Sequence, residues 1–383
     1  MDGLWLASPS IERSIIAGSD LAYHESLSND CCFMHYSLIV LFVGLFAAHL
    51  AIQGQPVDAQ ELEKDSLLEE ANPLNREPSA EPSAEPSAPF NVPFKTYGGT
   101  QFWTDHQHTQ GYRIQSNWMT DHWRLLDAAD VRRAWGTRKQ CEAVLDDLLD
   151  DKNLDNKSED NKNEEPESKH YVILLHGLMR SHQSMRSMQK VLQAADCGTV
   201  LRFSYASTRN TIGDHARALN EVLLGLPKGA KISFVAHSMG NIVVRHLLAD
   251  LEEEGDPTGL LERYNCMVML GPPNQGAAIA RRLAYTKVFG LVAGKSGLQL
   301  GPNWQQLVGN LAVPKFPFAI IAGDLSQKKV RNPILSEASD FVVQVDETHL
   351  EGRESFVTVP VLHSTLMNNP TVQKLVVDFL QSH

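Results

Sequence analysis

Positive charge is in short supply: 34 Lys plus Arg stand against 46 Asp plus Glu in 383 residues, a formal net charge of −12 at pH 7. Nucleic-acid affinity comes largely from neutralising phosphates, so this balance argues against such a partner. Cysteine is sparse too. Cys31, Cys32, Cys141, Cys197 and Cys266 show neither paired zinc spacing nor the density of a disulfide framework. A single bridge, such as Cys141 to Cys197, is open to the chain, but buried free thiols fit better because cysteine is often a small core residue. No Gly-rich phosphate loop with its Lys occurs. Nor is there an apolar run of the ~18–20 residues that a membrane helix needs, which excludes a polytopic membrane protein.

What is present falls into five segments. Residues 1–52 read as a leader around the apolar run Leu38 to Ala48, which suits a signal-peptide core, with an uncleaved anchor as the alternative. Asp2, Glu12, Asp20, Glu25 and Asp30 precede it against the single basic Arg13, so Met34 is the expected start. Against export stand the missing basic leader and the absence of an A-x-A cleavage site. The expectation is an exported protein, periplasmic or extracellular, or one tethered to a membrane through residues 38–48. Residues 53–93, with EPSA repeated in tandem from Glu77 to Ala88, lack the apolar surface to fold and read as a disordered linker.

Residues 94–145 form the next segment, a strand and helix unit expected to pack on the larger domain after it. TYGGTQFW and GYRIQSNW have the aromatic and β-branched character of strands, and Asp121 to Ala143 reads as a helix. In Asp105-His106-Gln107-His108 the two histidines would share a face of a regular strand, but two ligands without a third make no metal site, so these read as surface polar residues. Residues 146–169 are strongly acidic and read as a flexible loop. From residue 170 to 383, apolar β-type runs such as YVILLHG, TVLRFSY, KISFVAHS, CMVMLGPP and FAIIAG alternate with helical segments. That alternation predicts an α/β domain, a mostly parallel sheet with helices on both faces.

The chemistry sits at strand ends. Ala236-x-Ser238-x-Gly240 follows the strand KISFVA and precedes an apolar helix; it differs from the G-x-S-x-G nucleophile elbow only in Ala for the first Gly. The turn demands small residues because the chain reverses sharply, and it lifts the serine oxygen clear of the sheet. An ordinary helix N-cap is the plainer account of a lone serine there. Upstream, His176-Gly177 ends another apolar strand, where the Leu178 N–H could join that of Met239 as an oxyanion hole. His176 itself reads as a structural hydrogen-bonding residue.

An HG pair after a strand, AHSMG at an elbow and a late His together resemble an α/β-hydrolase of the serine lipase and esterase type over about residues 170–383. LGPPNQG at Leu270 to Gly276 and PVLHSTLMNNPTV near the end are similar to bacterial lipase-like hydrolases of that superfamily. The resemblance implies a triad in the order Ser, Asp, His. His363 lies where the family places its histidine, ahead of the rivals His215, His246, His349 and His383. Asp340 opens a segment resembling the family's D-G-x-V, although Phe341 replaces the Gly; Asp324 is the second candidate acid, followed by Asp346 or Glu347.

The implied activity is hydrolysis of carboxylic esters, by a carboxylesterase or lipase, through an acyl-enzyme on Ser238. Its partner would be a small-molecule or lipid ester, with neither metal nor organic cofactor required. An amidase, thioesterase or acyltransferase would use the same residues, and a non-catalytic binding module with the hydrolase fold is the rival of another class. Ala277 to Pro314 is long enough to hold cap helices, whose Leu283, Val288, Phe289, Leu291, Val292 and Leu298 would line an acyl site or simply pack on the sheet.

Overall fold

The structure, a computed structural model, describes residues 94–96, 101–156, 170–283, 287–328, 335 and 337–383. The leader at 1–52, the linker at 53–93 and residues 157–169 of the acidic segment lie outside the described residues, as do Cys31 and Cys32. Among the described residues no helix is long and apolar enough to cross a membrane.

Short strands open the described chain: β1 (Phe94–Lys95), β2 (Trp103–Thr109), β3 (Tyr112–Asn117), β4 (Trp123–Leu126) and β5 (Val131–Gly136). They pair antiparallel in the order β1-β5-β4-β3-β2. Helix α1 (Arg138–Asn156) covers them, burying Ile114, Leu125, Ala134, Cys141 and Leu145 together. Three expectations need correction. Of the expected strand TYGGTQFW, Gln101 and Phe102 are not strand and Trp103 opens the more polar β2.

Asp121 to Ala143 contains β4 and β5, with helix only from Arg138. The hairpin turn contains neither Gly nor Pro: Asp127 Oδ1 accepts from the N–H groups of Ala129 and Val131, both at 2.9 Å, while Asp130 takes φ 61°. Aspartate side chains stand in for the usual turn residues. The helix starts later because Thr137 and Gln140 form a reciprocal cap, each side chain accepting from the other's backbone N–H at 3.3 and 2.9 Å. It then runs on to Asn156, past Asp146 where the acidic loop was expected to begin.

The second sheet holds β6 (His170–Leu175), β7 (Thr199–Phe203), β8 (Lys231–His237), β9 (Tyr264–Leu270), β10 (Phe318–Gly323) and β11 (Ser355–Val359). All pair parallel, in the order β11-β10-β9-β8-β6-β7. Between them run α2 (Arg186–Ala194), α3 (Ile212–Leu224), α4 (Met239–Glu254), α5 (Ala278–Leu283), α6 (Lys287–Leu300) and α7 (Trp304–Leu307), and α8 (Pro370–Ser382) closes the chain. Strand residues alternate between two apolar layers. Ile173 and Leu175 pack with Ile212, Leu219 and Leu247 of α3 and α4, whereas Val172 and Leu174 pack with Leu192 of α2 and Val376 of α8. Helices therefore cover both faces, which is why these strands read as unbroken apolar runs. This is the α/β-hydrolase fold. Cys141, Cys197 and Cys266 are buried free thiols, with no bridge between Cys141 and Cys197.

Candidate active site

In an open parallel sheet, sites form outside the carboxyl ends of the strands, near the point where strand order reverses. Ser238 sits there, between β8 and α4, with φ 53° and ψ −121°. A non-glycine residue with positive φ is strained, and such strain persists only when the surroundings enforce it. Part of the enforcement is the Ser238 N–H, which donates to the Leu270 carbonyl at 2.8 Å. Gly240 is dictated by close approach: a Cβ there would lie 2.7 Å from Leu175 Cβ and 2.9 Å from the His176 oxygen. Ala236, fully buried in β8, shows that the other small position of the elbow tolerates a methyl group. Met239 opens α4, so its N–H belongs to the donor-rich helix N-terminus.

The chain after β6 runs against this elbow. A Cβ on Gly177 would come within 2.9 Å of His237 Nδ1 and 3.0 Å of Ser238 Cβ, so only glycine lets the backbone pass. Leu178 follows in a turn closed by the Arg180 N–H donating to the Gly177 carbonyl at 3.3 Å. His176 is buried: its Nδ1–H donates to the Gly177 carbonyl at 3.0 Å, and its ring stacks on Tyr205 at 4.0 Å. Burial pushes its pKa down to about 4, so it is neutral at pH 7.

His363 and Asp340 meet from the loops after β11 and β10. His363 Nδ1–H donates to Asp340 Oδ2 at 2.6 Å, with both side chains buried, and the His363 N–H donates to the Asp340 carbonyl at 2.9 Å. This arrangement leaves Nε2 as the imidazole's acceptor. Asp340 Oδ1 accepts from the N–H groups of Val342 and Val343, at 3.0 and 2.7 Å, and so cannot swing away cheaply. Phe341 has φ 86°, the left-handed backbone that favours Gly. Gly271, after β9, lies beneath the pair: a Cβ there would be 3.0 Å from His363 Nδ1 and 3.2 Å from Asp340 Oδ2.

The rival residues go elsewhere. Asp324 Oδ1 accepts from the Ser326 N–H at 2.9 Å, Asp346 lies 4.0 Å from His349, and Glu347 accepts from Arg281 and from the Ala278 N–H. His246 pairs with Asp250 and His383 with Glu354, both at 3.0 Å; His349 stacks on Phe356 at 4.5 Å, and His215 is buried beside Tyr205. In the candidate cap, the side chains of Val288, Phe289, Leu291 and Val292 lie outside the described residues, while Leu283 and Leu298 are half-buried.

Two features were not anticipated. His237 is buried next to Ser238, donates from Nε2 to the His363 carbonyl at 2.9 Å, and has its ring 4.7 Å from that of His363. Burial, helped by the neighbouring His363, holds its pKa well below the usual range, so it stays neutral and cannot compete for the serine proton. Its place before the serine was legible, but its partner lies 126 positions away in sequence. The second is a correction: His108 and Asp105 are buried, not surface polar residues. A register shift in β2 between Asp105 and Gln107 breaks the alternation, so His108 Nε2 meets Asp105 Oδ2 at 3.0 Å while His106 turns to Ser116. Among the described residues no cluster of His, Cys, Asp and Glu is placed to hold a metal ion.

Residues 165–273 match the family described as "Putative serine esterase (DUF676)". That segment contains the turn after β6 and the Ser238 elbow but ends before Asp340 and His363. No curated protein matches the chain. Among solved structures, the mature form of the lipase BlEst2 of Bacillus licheniformis is similar at 16% identity and TM-score 0.45, over 58% of this chain and 96% of its own. Phospholipase PlaB from Legionella pneumophila is 18% identical with TM-score 0.44, over 56% of this chain and 59% of its own. The metagenomic carboxyl esterase MGS0156 is 13% identical with TM-score 0.44, over 58% and 79%. The chain has the α/β-hydrolase fold, and its segment from residue 165 to 273, elbow included, is similar to a family described as a putative serine esterase.

Proposed function

We propose that this protein hydrolyses uncharged carboxylic esters through an acyl-enzyme on Ser238. The observation that carries the reading is the Asp340–His363 pair, hydrogen-bonded at 2.6 Å, at the same rim of the sheet as the strained Ser238 elbow. His363 Nε2 takes the Ser238 proton as the serine oxygen attacks the ester carbonyl, and the N–H groups of Leu178 and Met239 receive the developing oxyanion. The proton then passes to the leaving alcohol. Asp340 keeps the imidazole in the Nδ1–H tautomer and stabilises the imidazolium. Water, deprotonated by His363, attacks the acyl-enzyme and releases the acid, restoring the serine.

If these two donors bind the oxyanion, small changes should have large effects, since removing a single oxyanion donor costs ~10²–10³ in kcat. The test combines a fluorophosphonate probe with p-nitrophenyl esters of increasing chain length. Wild-type protein should label at Ser238 and turn over esters; Ser238→Ala should abolish labelling and cut turnover by ~10⁴-fold or more. Well-folded wild-type protein that neither labels nor hydrolyses would sink the reading in favour of a binding module. Turnover of thioesters or amides well above that of oxygen esters would move it to those classes. An exported or membrane-tethered location goes with this proposal on the strength of Leu38 to Ala48 alone. Recovery of the full-length protein in the soluble cytoplasmic fraction would remove that part.

A further inference from the structure

The turn that carries Leu178 is held in an awkward conformation. Met179 has φ 59° in the third place of the turn closed between Gly177 and Arg180. A positive φ at that place favours Gly or Asn, and a larger residue stays there only where its surroundings hold it. Part of that hold comes from outside the parallel sheet and its helices.

Gln101, just ahead of β2, donates from Nε2 to the Arg180 carbonyl at 2.6 Å, at the exit of the turn. Its Oε1 accepts from Ser207 Oγ at 3.1 Å, Thr208 N–H at 3.3 Å and Thr208 Oγ1 at 3.1 Å. One side-chain amide therefore ties the turn after β6 to the loop after β7. That loop is anchored in turn. The Ser204 N–H donates to Asp105 Oδ2 at 2.7 Å, the Asp105 N–H to the Ser204 carbonyl at 2.9 Å, and the Ala206 N–H to Thr104 Oγ1 at 3.2 Å. The Tyr205 hydroxyl donates to the carbonyl of His176, which enters the turn. Both ends of the segment bearing Leu178 are thus fixed to a loop that the antiparallel sheet holds.

We propose that Gln101 is a positioning residue of the active site: its amide fixes the turn that presents the Leu178 N–H to the oxyanion. This rests on the ester-hydrolase reading above. Nε2 also donates to Ser207 Oγ at 3.1 Å, but that hydroxyl can donate to an oxygen instead, as it does to Oε1, and both Thr208 groups are donors. Only the Arg180 carbonyl therefore requires a donor from Gln101. Gln101→Glu therefore keeps the anchor and cuts the single link to the turn. Lowering the pH restores that link, because a protonated carboxyl is again a donor.

The experiment measures kcat and KM on a p-nitrophenyl ester for wild type, Gln101→Glu and Gln101→Met, across pH. It adds inhibition by a trifluoromethyl ketone, whose addition product places an oxyanion among the same donors. For Gln101→Glu, kcat should fall by about 10- to 100-fold with KM changed less than about 2-fold, and inhibitor affinity should weaken in proportion. Its activity relative to wild type at each pH should recover as pH falls through the titration of the introduced carboxyl. Gln101→Met, of similar volume but with neither donor nor acceptor, should lose as much kcat and show no recovery. A wild-type enzyme that works through Ser238, with Gln101→Glu within about 2-fold of it and equally inhibited, overturns the role of Gln101 and leaves the hydrolase reading standing. A loss without pH recovery, accompanied by lowered thermal stability, assigns Gln101 to structure alone. Wild-type protein without Ser238-dependent turnover overturns both readings.

Discussion

From Val172 to Leu175 every side chain of β6 is apolar and buried, whereas β2 to β4, joined to the parallel sheet at the loop after β7, bury Asp105, His108, Gln115 and Arg124. The parallel sheet is stabilised by area: many contacts, each weak and replaceable. The antiparallel sheet meets it through a directed network. Asp105 Oδ1 accepts from Gln115 Nε2 at 2.6 Å, and Arg124 Nε donates to Gln115 Oε1 at 2.8 Å. Burial alone would raise the Asp105 pKa, yet His108, Arg113 and the hydrogen bonds from His108 and Ser204 outweigh it and hold the carboxyl well below its usual range. Burial, with Arg113 nearby, lowers Arg124 to about 9. A junction built this way fixes one geometry and tolerates little, which suits a surface that holds loops at the rim bearing Ser238.

The sharpest way to break the comparison is Asp105→Ala, expected to cost about 3–5 kcal/mol because it leaves buried cationic groups uncompensated. Ile173→Val, a methylene removed from the apolar layer, should cost about 0.5–1.5 kcal/mol. If urea unfolding gave the two equal costs, the polar junction would be no more exacting than the core.

A second, intermediate effect is set by pH. Burial lowers His176 to about 4 and His215 to about 3, against an ordinary value near ~6.5. Both rings refuse protons that the unfolded chain accepts, so stability should hold above about pH 7 and decline as pH falls from about 6.5 towards 4. Asp105 adds a further loss below about pH 4, where the unfolded carboxyl becomes protonated first. Neither ring nitrogen of His215 has a hydrogen-bond partner among the described residues. His215→Phe should therefore leave stability at pH 8 within about 1 kcal/mol and shrink the drop between pH 8 and pH 5, measured by denaturant midpoints. An unchanged drop would place the acid sensitivity elsewhere.

The smallest effect belongs to the surface. Lys374 and Asp378 pair on the outer face of α8 at 2.7 Å, and Lys374→Ala should shift unfolding by no more than about 0.5 kcal/mol.

How far the sequence could be read tracks the same division. Parallel strands buried on both faces announce themselves as apolar runs, and an elbow between strand and helix announces its serine. The strands β4 and β5 did not, because WRLLDAADVRRAW carries its turn in aspartates instead of glycine. Asp105 and His108 were misread since a bulge, invisible in the residue pattern, moved them to one side of the strand. The separation of Asp340 from Asp324 needed the loop after β10, where Val342 and Val343 orient the carboxyl.

The order of strands and helices and the small residues at the elbow come from local chemistry, and a linear chain displays local chemistry directly; His363 stood out only through the resemblance. Which acid faces His363, that His237 grips the carbonyl of that same residue, and that Gln101 reaches Arg180 were decided only on folding. Each joins positions far apart in sequence by one or two hydrogen bonds, and such bonds leave no periodic trace in the chain that makes them.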